Sequence, residues 1–67
     1  MGFKEEIGKI FKEAREKQGL TQEEAAKKAK VNTNYYARVE RGDPNARGVI
    51  LNQIAKALGV KIRLPID

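Results

Sequence analysis

The chain contains no cysteine, histidine, serine or tryptophan. Without cysteine there is no disulfide framework and no thiolate metal site. Without histidine and serine, the side chains that most often move protons or attack carbonyls near neutral pH are missing too. Aspartate occurs only at Asp43 and Asp67, so no general base or metal cluster can be assembled with recognisable spacing. The chain therefore reads as no enzyme, with no metal and no cofactor. No apolar run is long enough to span a bilayer, and no signal peptide is visible. A membrane-surface helix is disfavoured as well, because the first helical stretch interleaves acids with its bases.

What is present fits one small domain. Sixty-seven residues with 40% apolar content can build a modest core. A chain this short buries little more than half of its unfolded surface, so a partner subunit or very regular packing would help it. The net charge of +5 is unevenly spread. Between Lys27 and Arg47 there are six basic residues and two acidic ones, a net of +4; the remaining residues carry eight and seven, a net of +1. A basic excess gathered in one stretch points to a polyanion, most often nucleic acid, although lysine-rich helices can also be merely soluble.

That basic stretch overlaps a second signal, from Thr21 to Gly42: TQEEAAKKAKVNTNYYARVERG. Thr21 with Glu24 makes a Thr-x-x-Glu capping box for a helix over about 22–29. Ala25, Ala26 and Ala29 give that helix a small-residue face, which allows the close approach a helix-turn-helix crossing needs. Asn32 caps a second helix over about 33–41, with Val31 and Tyr36 as a hydrophobic staple and Gly42 as a left-handed stop. This helix buries Tyr36 and Val39 and leaves Thr33, Asn34, Tyr35, Ala37 and Arg38 outward. Thr, Asn and Arg are hydrogen-bonding types suited to base edges in a major groove.

On either side lie two further helices and a tail. Phe3, Ile7, Ile10, Phe11 and Ala14 share one face of a helix over about 3–17, which Gly19 ends. Its other face carries the Glu5–Lys9 and Glu13–Lys17 pairs, worth at most a few tenths of a kcal/mol each. After Gly42, Asp43 could cap a helix with Pro44 at its first position. Gly48 would cost such a helix about 1 kcal/mol relative to Ala, so a loop to about residue 46 is preferred. A broad apolar face then runs from Val49 to Leu58, giving a helix over about 47–58 that Gly59 ends. Val60, Ile62 and Leu64 alternate with Lys61 and Arg63, a strand pattern that Pro65 stops. A lone strand leaves unpaired amides and carbonyls, so its natural partner is the same strand of a second copy. The rival reading is an extended tail that packs Ile62 and Leu64 onto its own helices.

Residues 7–60, and above all REKQGLTQEEAA, RVERG and IAKALG at their mutual spacings, resemble the helix-turn-helix family of phage repressors and Cro proteins. The resemblance implies an all-α, four-helix domain over residues 1–59, here followed by a short C-terminal β-strand, 60–67, as dimerisation segment. It implies that Gln22 bonds a phosphate and braces the start of helix 3. Thr33, Asn34 and Arg38 would face base edges, while Asn32, Tyr35, Arg41, Asn45 and Arg47 would hold the flanking backbone. Arg15 and Glu40 would form an inward ion pair tying helix 1 to helix 3.

There are departures. Lys30 replaces the usual turn glycine, so the turn must accept a side chain in a strained conformation or change shape. Ala25 and Gly48 stand where larger aliphatics are common, and Tyr36 where a smaller one is usual. A volume swap, Tyr36 filling the space left by Ala25, would reconcile two of these.

The expected function is sequence-specific binding of double-stranded DNA by a small cytoplasmic, nucleoid-associated transcriptional regulator, a repressor acting as a homodimer. The alternative is an antitoxin or bridging module whose main partner is another protein, such as a toxin. No long toxin-wrapping segment is present.

Overall fold

Four helices form where the caps and the apolar spacing put them: α1 (Phe3–Lys17), α2 (Gln22–Ala29), α3 (Thr33–Glu40) and α4 (Gly48–Leu58). The structure, a computed structural model, describes residues 2–62. Thr21 Oγ1 accepts from the Glu24 amide at 3.0 Å, and Glu24 Oε1 accepts from the Thr21 amide at 2.8 Å, completing the reciprocal box that starts α2. Asn32 Oδ1 accepts from the Tyr35 amide at 3.1 Å and starts α3. Arg41 and Arg47 stand outside α3 and α4 as cap residues, so α3 ends one position before, and α4 begins one position after, the expected bound.

The core is small and dry. Ile7, Phe11, Tyr36, Val39, Leu51, Ile54 and Leu58 are buried together with Ala25, Ala26, Ala29, Ala46 and Ala55. The alanine face of α2 lets it lie close against α4 and α3, while α1 packs on α3 and α4. Tyr36 on α3 and Ala25 on α2 are both fully buried.

Two backbone positions show how tight this assembly is. A methyl group on Gly8, in the middle of α1, would stand 2.5 Å from the carbonyl oxygens of both Val39 and Glu40. Only a bare Cα allows α1 to cross the end of α3 so closely. Lys30 ends α2 in the left-handed region, with φ 59° and ψ 43°. The turn thus keeps its shape and accepts the strained side chain, a conformation that costs a non-glycine residue roughly 1–2 kcal/mol.

Long polar side chains close the remaining gaps. Lys4 Nζ donates to the carbonyls of Pro44, at 3.0 Å, and Ala46, tying α1 to the loop before α4. Gln18 Nε2 donates to Leu58 O and Gln53 Nε2 to Ala29 O, each at 2.7 Å. These amides satisfy carbonyls that helix ends leave without partners.

Residues 60–62 form no strand. Val60 and Ile62 instead pack, partly buried, against the helical core. Leu64 lies outside the described residues.

Candidate nucleic-acid interface

The α3 helix has two functional sides, and the sequence separates them by spacing. Tyr36, Val39 and Glu40 point inward; Thr33, Asn34 and Arg38 are exposed. Asn34 and Arg38 lie four residues apart, one turn along the same face. Thr33 and Asn34 form no side-chain hydrogen bond among the described residues, because Asn32 supplies the cap.

The inward side is fixed by Glu40. Its carboxylate receives Arg15 through two bonds, Nε to Oε2 at 2.7 Å and Nη2 to Oε1 at 3.2 Å. The third arm of Arg15 donates to Leu20 O at 2.9 Å, and Gln22 Nε2 donates to Glu40 Oε1 at 3.0 Å. One carboxylate thereby joins α1, α2 and α3 at a site where the two charged side chains are 12% and 3% exposed. Gln22 braces α3 at its end rather than at its start.

The charges tune one another. The hydrogen bond to Glu40 raises the Arg15 guanidinium above its ordinary value, against the effect of burial. Burial pushes the Glu40 carboxyl up, but the bonds from Arg15 and Gln22, the polar approach of Tyr36 and the Arg15 charge outweigh it, leaving Glu40 below its ordinary 4.5. Burial, and then the Glu40 carboxylate, drive the Tyr36 phenol well above its ordinary value. Its hydroxyl is sealed from solvent beside Glu40 without a well-formed hydrogen bond, and it stays neutral.

The outward side is differently built. The Arg38 side chain, 53% exposed, pairs with Asp43 at 3.4 Å, Nε to Oδ2. Its guanidinium also lies 5.6 Å from the centre of the Tyr35 ring. The Tyr35 hydroxyl accepts from the Arg47 amide at 3.2 Å. Asp43 Oδ1 accepts from the Asn45 amide at 2.9 Å, so the loop after α3 folds as an Asx turn rather than as a helix start.

These contacts sharpen the charge asymmetry. The two acids of the basic stretch, Glu40 and Asp43, are both turned into partnerships with arginine. Lys27, Lys28, Lys30, Arg38, Arg41 and Arg47 are all exposed. The α4 helix adds to this, with no acid in its first turn and no side-chain cap. Its amino end is the positive end of a helix dipole.

The elements that matter here are a short α2, a tight turn through Lys30, and α3 with Thr33, Asn34 and Arg38 exposed. A model of the helix-turn-helix family matches residues 11–64. The chain belongs to the helix-turn-helix family. The helix-turn-helix chain is also similar to an uncharacterised HTH-type transcriptional regulator of Sinorhizobium fredii, 35% identical over 60 residues, which cover 90% of this chain and 78% of that protein. A second relative is endothelial differentiation-related factor 1 of Homo sapiens, 33% identical over 58 residues, covering 87% of this chain but only 39% of the human protein. No solved structure matches.

Several residues of the site carry no warning in the sequence. Asp43 signalled a helix start and instead braces Arg38. Lys4 reaches a loop forty residues away in the chain. Gly8 alone left a trace, as a glycine inside a helical pattern, which is tolerated at a cost and often marks close packing.

Proposed function

We propose that this protein binds double-stranded DNA as a small transcriptional regulator, a repressor, with α3 reading the major groove. One observation carries the reading: Thr33, Asn34 and Arg38 are exposed on the outer face of α3, while Glu40 is turned inward to Arg15 and Asp43 is engaged with Arg38 itself. Family membership and the naming of the rhizobial relative as a transcriptional regulator support it.

In this reading Thr33, Asn34 and Arg38 meet base edges. Asn32 retains its amide nitrogen, Gln22 one amide hydrogen and Tyr35 its hydroxyl proton for phosphate oxygens. Arg41, Asn45 and Arg47 complete the grip on the backbone, the last two beside the open amino end of α4, which is suited to an anion. Residues 1–59 form the DNA-binding domain, and 60–67, through Val60, Ile62 and Leu64, form the contact with a second copy. The open groove that Phe3, Ile7 and Ile10 share with Ile62, rimmed by Glu6 and Lys61, supports that assignment. Two copies would set their reading helices about 34 Å apart, for half-sites one helical turn apart.

Titration of a labelled duplex at several salt concentrations tests this. The expected result is tight binding whose affinity falls with a log–log slope of about −0.9 for each phosphate neutralised. Binding that ignores salt, or that is confined to protein partners, would support the bridging or antitoxin role instead.

A further inference from the structure

Resting on the base-reading role of α3, we infer that Asp43 is a positioning residue that aims Arg38 at a guanine and thereby sets the sequence preference. The argument begins with which atoms are already engaged. Arg38 Nε lies 3.4 Å from Asp43 Oδ2 in a side chain that is 53% exposed, so the carboxylate stands at the Nε edge of the fork and leaves the two terminal amino groups without a protein partner among the described residues. Those two groups, presented end-on, match the O6 and N7 acceptors of guanine. An arginine lying side-on would present Nε as one of its two donors, and on that side the Asp43 carboxylate stands 3.4 Å away.

Asp43 itself is poorly placed to read a base. Its side chain is 17% exposed, and its two oxygens are directed to the Arg38 guanidinium and the Asn45 amide. It acts through Arg38. The Asp43 amide also donates to Arg38 O at 3.1 Å, so the brace is anchored to the last turn of the helix it serves. Tyr35 supplies a second wall: its ring lies near the guanidinium, and its hydroxyl is held by the Arg47 amide. A flexible side chain that carries several rotatable bonds is thus restrained from two directions before any duplex arrives, and less freedom is lost on binding.

The negative charge has a second consequence. It sits in a basic surface facing a polyanion, so it weakens binding to any duplex, whatever its sequence. Asp43 therefore acts with opposite signs on two quantities: it raises the preference for guanine and lowers the affinity for unrelated DNA. An aspartate that merely stabilised the loop would shift both quantities in the same direction.

The test is a double-mutant cycle on the whole chain: wild type, Arg38→Ala, Asp43→Asn and the double variant. Asn keeps the oxygen that accepts from the Asn45 amide and removes the charge. Each protein is titrated, at one salt concentration, against a selected duplex, the same duplex with the contacted guanine replaced, and an unrelated duplex. Arg38→Ala should abolish the guanine preference. Asp43→Asn should reduce that preference by at least about threefold, as part of what a bidentate arginine–guanine pair supplies, and should tighten binding to the unrelated duplex. Adding Asp43→Asn to Arg38→Ala should change the preference no further. If Asp43→Asn leaves the preference intact while Arg38→Ala removes it, Asp43 is no positioning residue, although the reading of α3 stands. If Arg38→Ala keeps the preference, both fall together. A measurement that needs no variant guards against misfolding: in the free protein, the Arg38 Nε–H order parameter should exceed those of the exposed Arg41 and Arg47. Equal mobility of all three would overturn the inference.

Discussion

Two arginine–carboxylate pairs meet α3 within three residues of each other, and they are built to opposite ends. At Glu40 the pair is bidentate, nearly sealed from water and joined by Gln22. At Arg38 the pair is a single contact at 3.4 Å with half of the arginine side chain in solvent. The first spends its hydrogen-bonding capacity inside the fold; the second leaves two donors unclaimed. A buried pair of the first kind is weak evidence for stability, since desolvation offsets much of the attraction, but it punishes the loss of either partner. A half-exposed pair of the second kind contributes little to stability, and it leaves the terminal amino groups of Arg38 available. The same chemistry thus locks one side of a helix and readies the other.

The sharpest way to break this contrast is to remove each carboxylate in turn. Glu40→Ala leaves the Arg15 charge without its carboxylate, with only the Leu20 carbonyl as partner, and should cost about 3–5 kcal/mol, read as a large loss of Tm by circular dichroism. Asp43→Asn should move stability by no more than about 0.5 kcal/mol, as surface changes usually do. Comparable losses at the two sites would erase the distinction.

A smaller effect tests how closely α1 presses on the locked side. Gly8→Ala improves helix propensity by about 1 kcal/mol, yet it drives a methyl group onto the Val39 and Glu40 carbonyls. Overpacking of this kind costs typically about 1–3 kcal/mol, so urea denaturation should show net destabilisation. A more stable variant would mean that the crossing is looser than described.

Acid offers a third probe. Because Glu40 is held below its ordinary 4.5 in the folded protein, its contribution is fully present above that value. It is lost as pH falls through the lower, folded value, where the unfolded chain binds the proton more readily. Stability measured from pH 6 downward should therefore fall, and Glu40→Gln should flatten that fall. An unchanged acid limb in Glu40→Gln would assign the pH dependence to other carboxylates.

The smallest effect concerns the turn. Lys30→Gly removes left-handed strain but loosens the unfolded chain, and the two terms nearly offset, for a net gain of at most about 1 kcal/mol. Thermal melts of the pair would show a slight rise, and a clear loss would mean that the Lys30 side chain stabilises the turn.

How much of this the sequence made legible follows from the range of each signal. Helix ends were readable because their signals are local: Thr21 with Glu24, Asn32 with the Tyr35 amide, and the glycines after α1 and α3. The inward and outward sides of α3 were readable because burial repeats with the helical period. The bonds from Lys4, Gln18 and Gln53 to distant carbonyls follow no period, and nothing near these residues in the chain announces them. Asp43 was ambiguous for a physical reason, since the same carboxylate can cap a helix or fold an Asx turn. In the tail, alternation reports two faces and not what they meet; Val60 and Ile62 lie partly buried against the helical core.

The most direct test of the account is selection of binding sites from a random duplex library, run in parallel with the wild-type chain and Arg38→Ala at matched salt. The account predicts a defined site for the wild type and, for the folded variant, the same site with its preference lost at one base pair in each half. An identical preference from both proteins would contradict it.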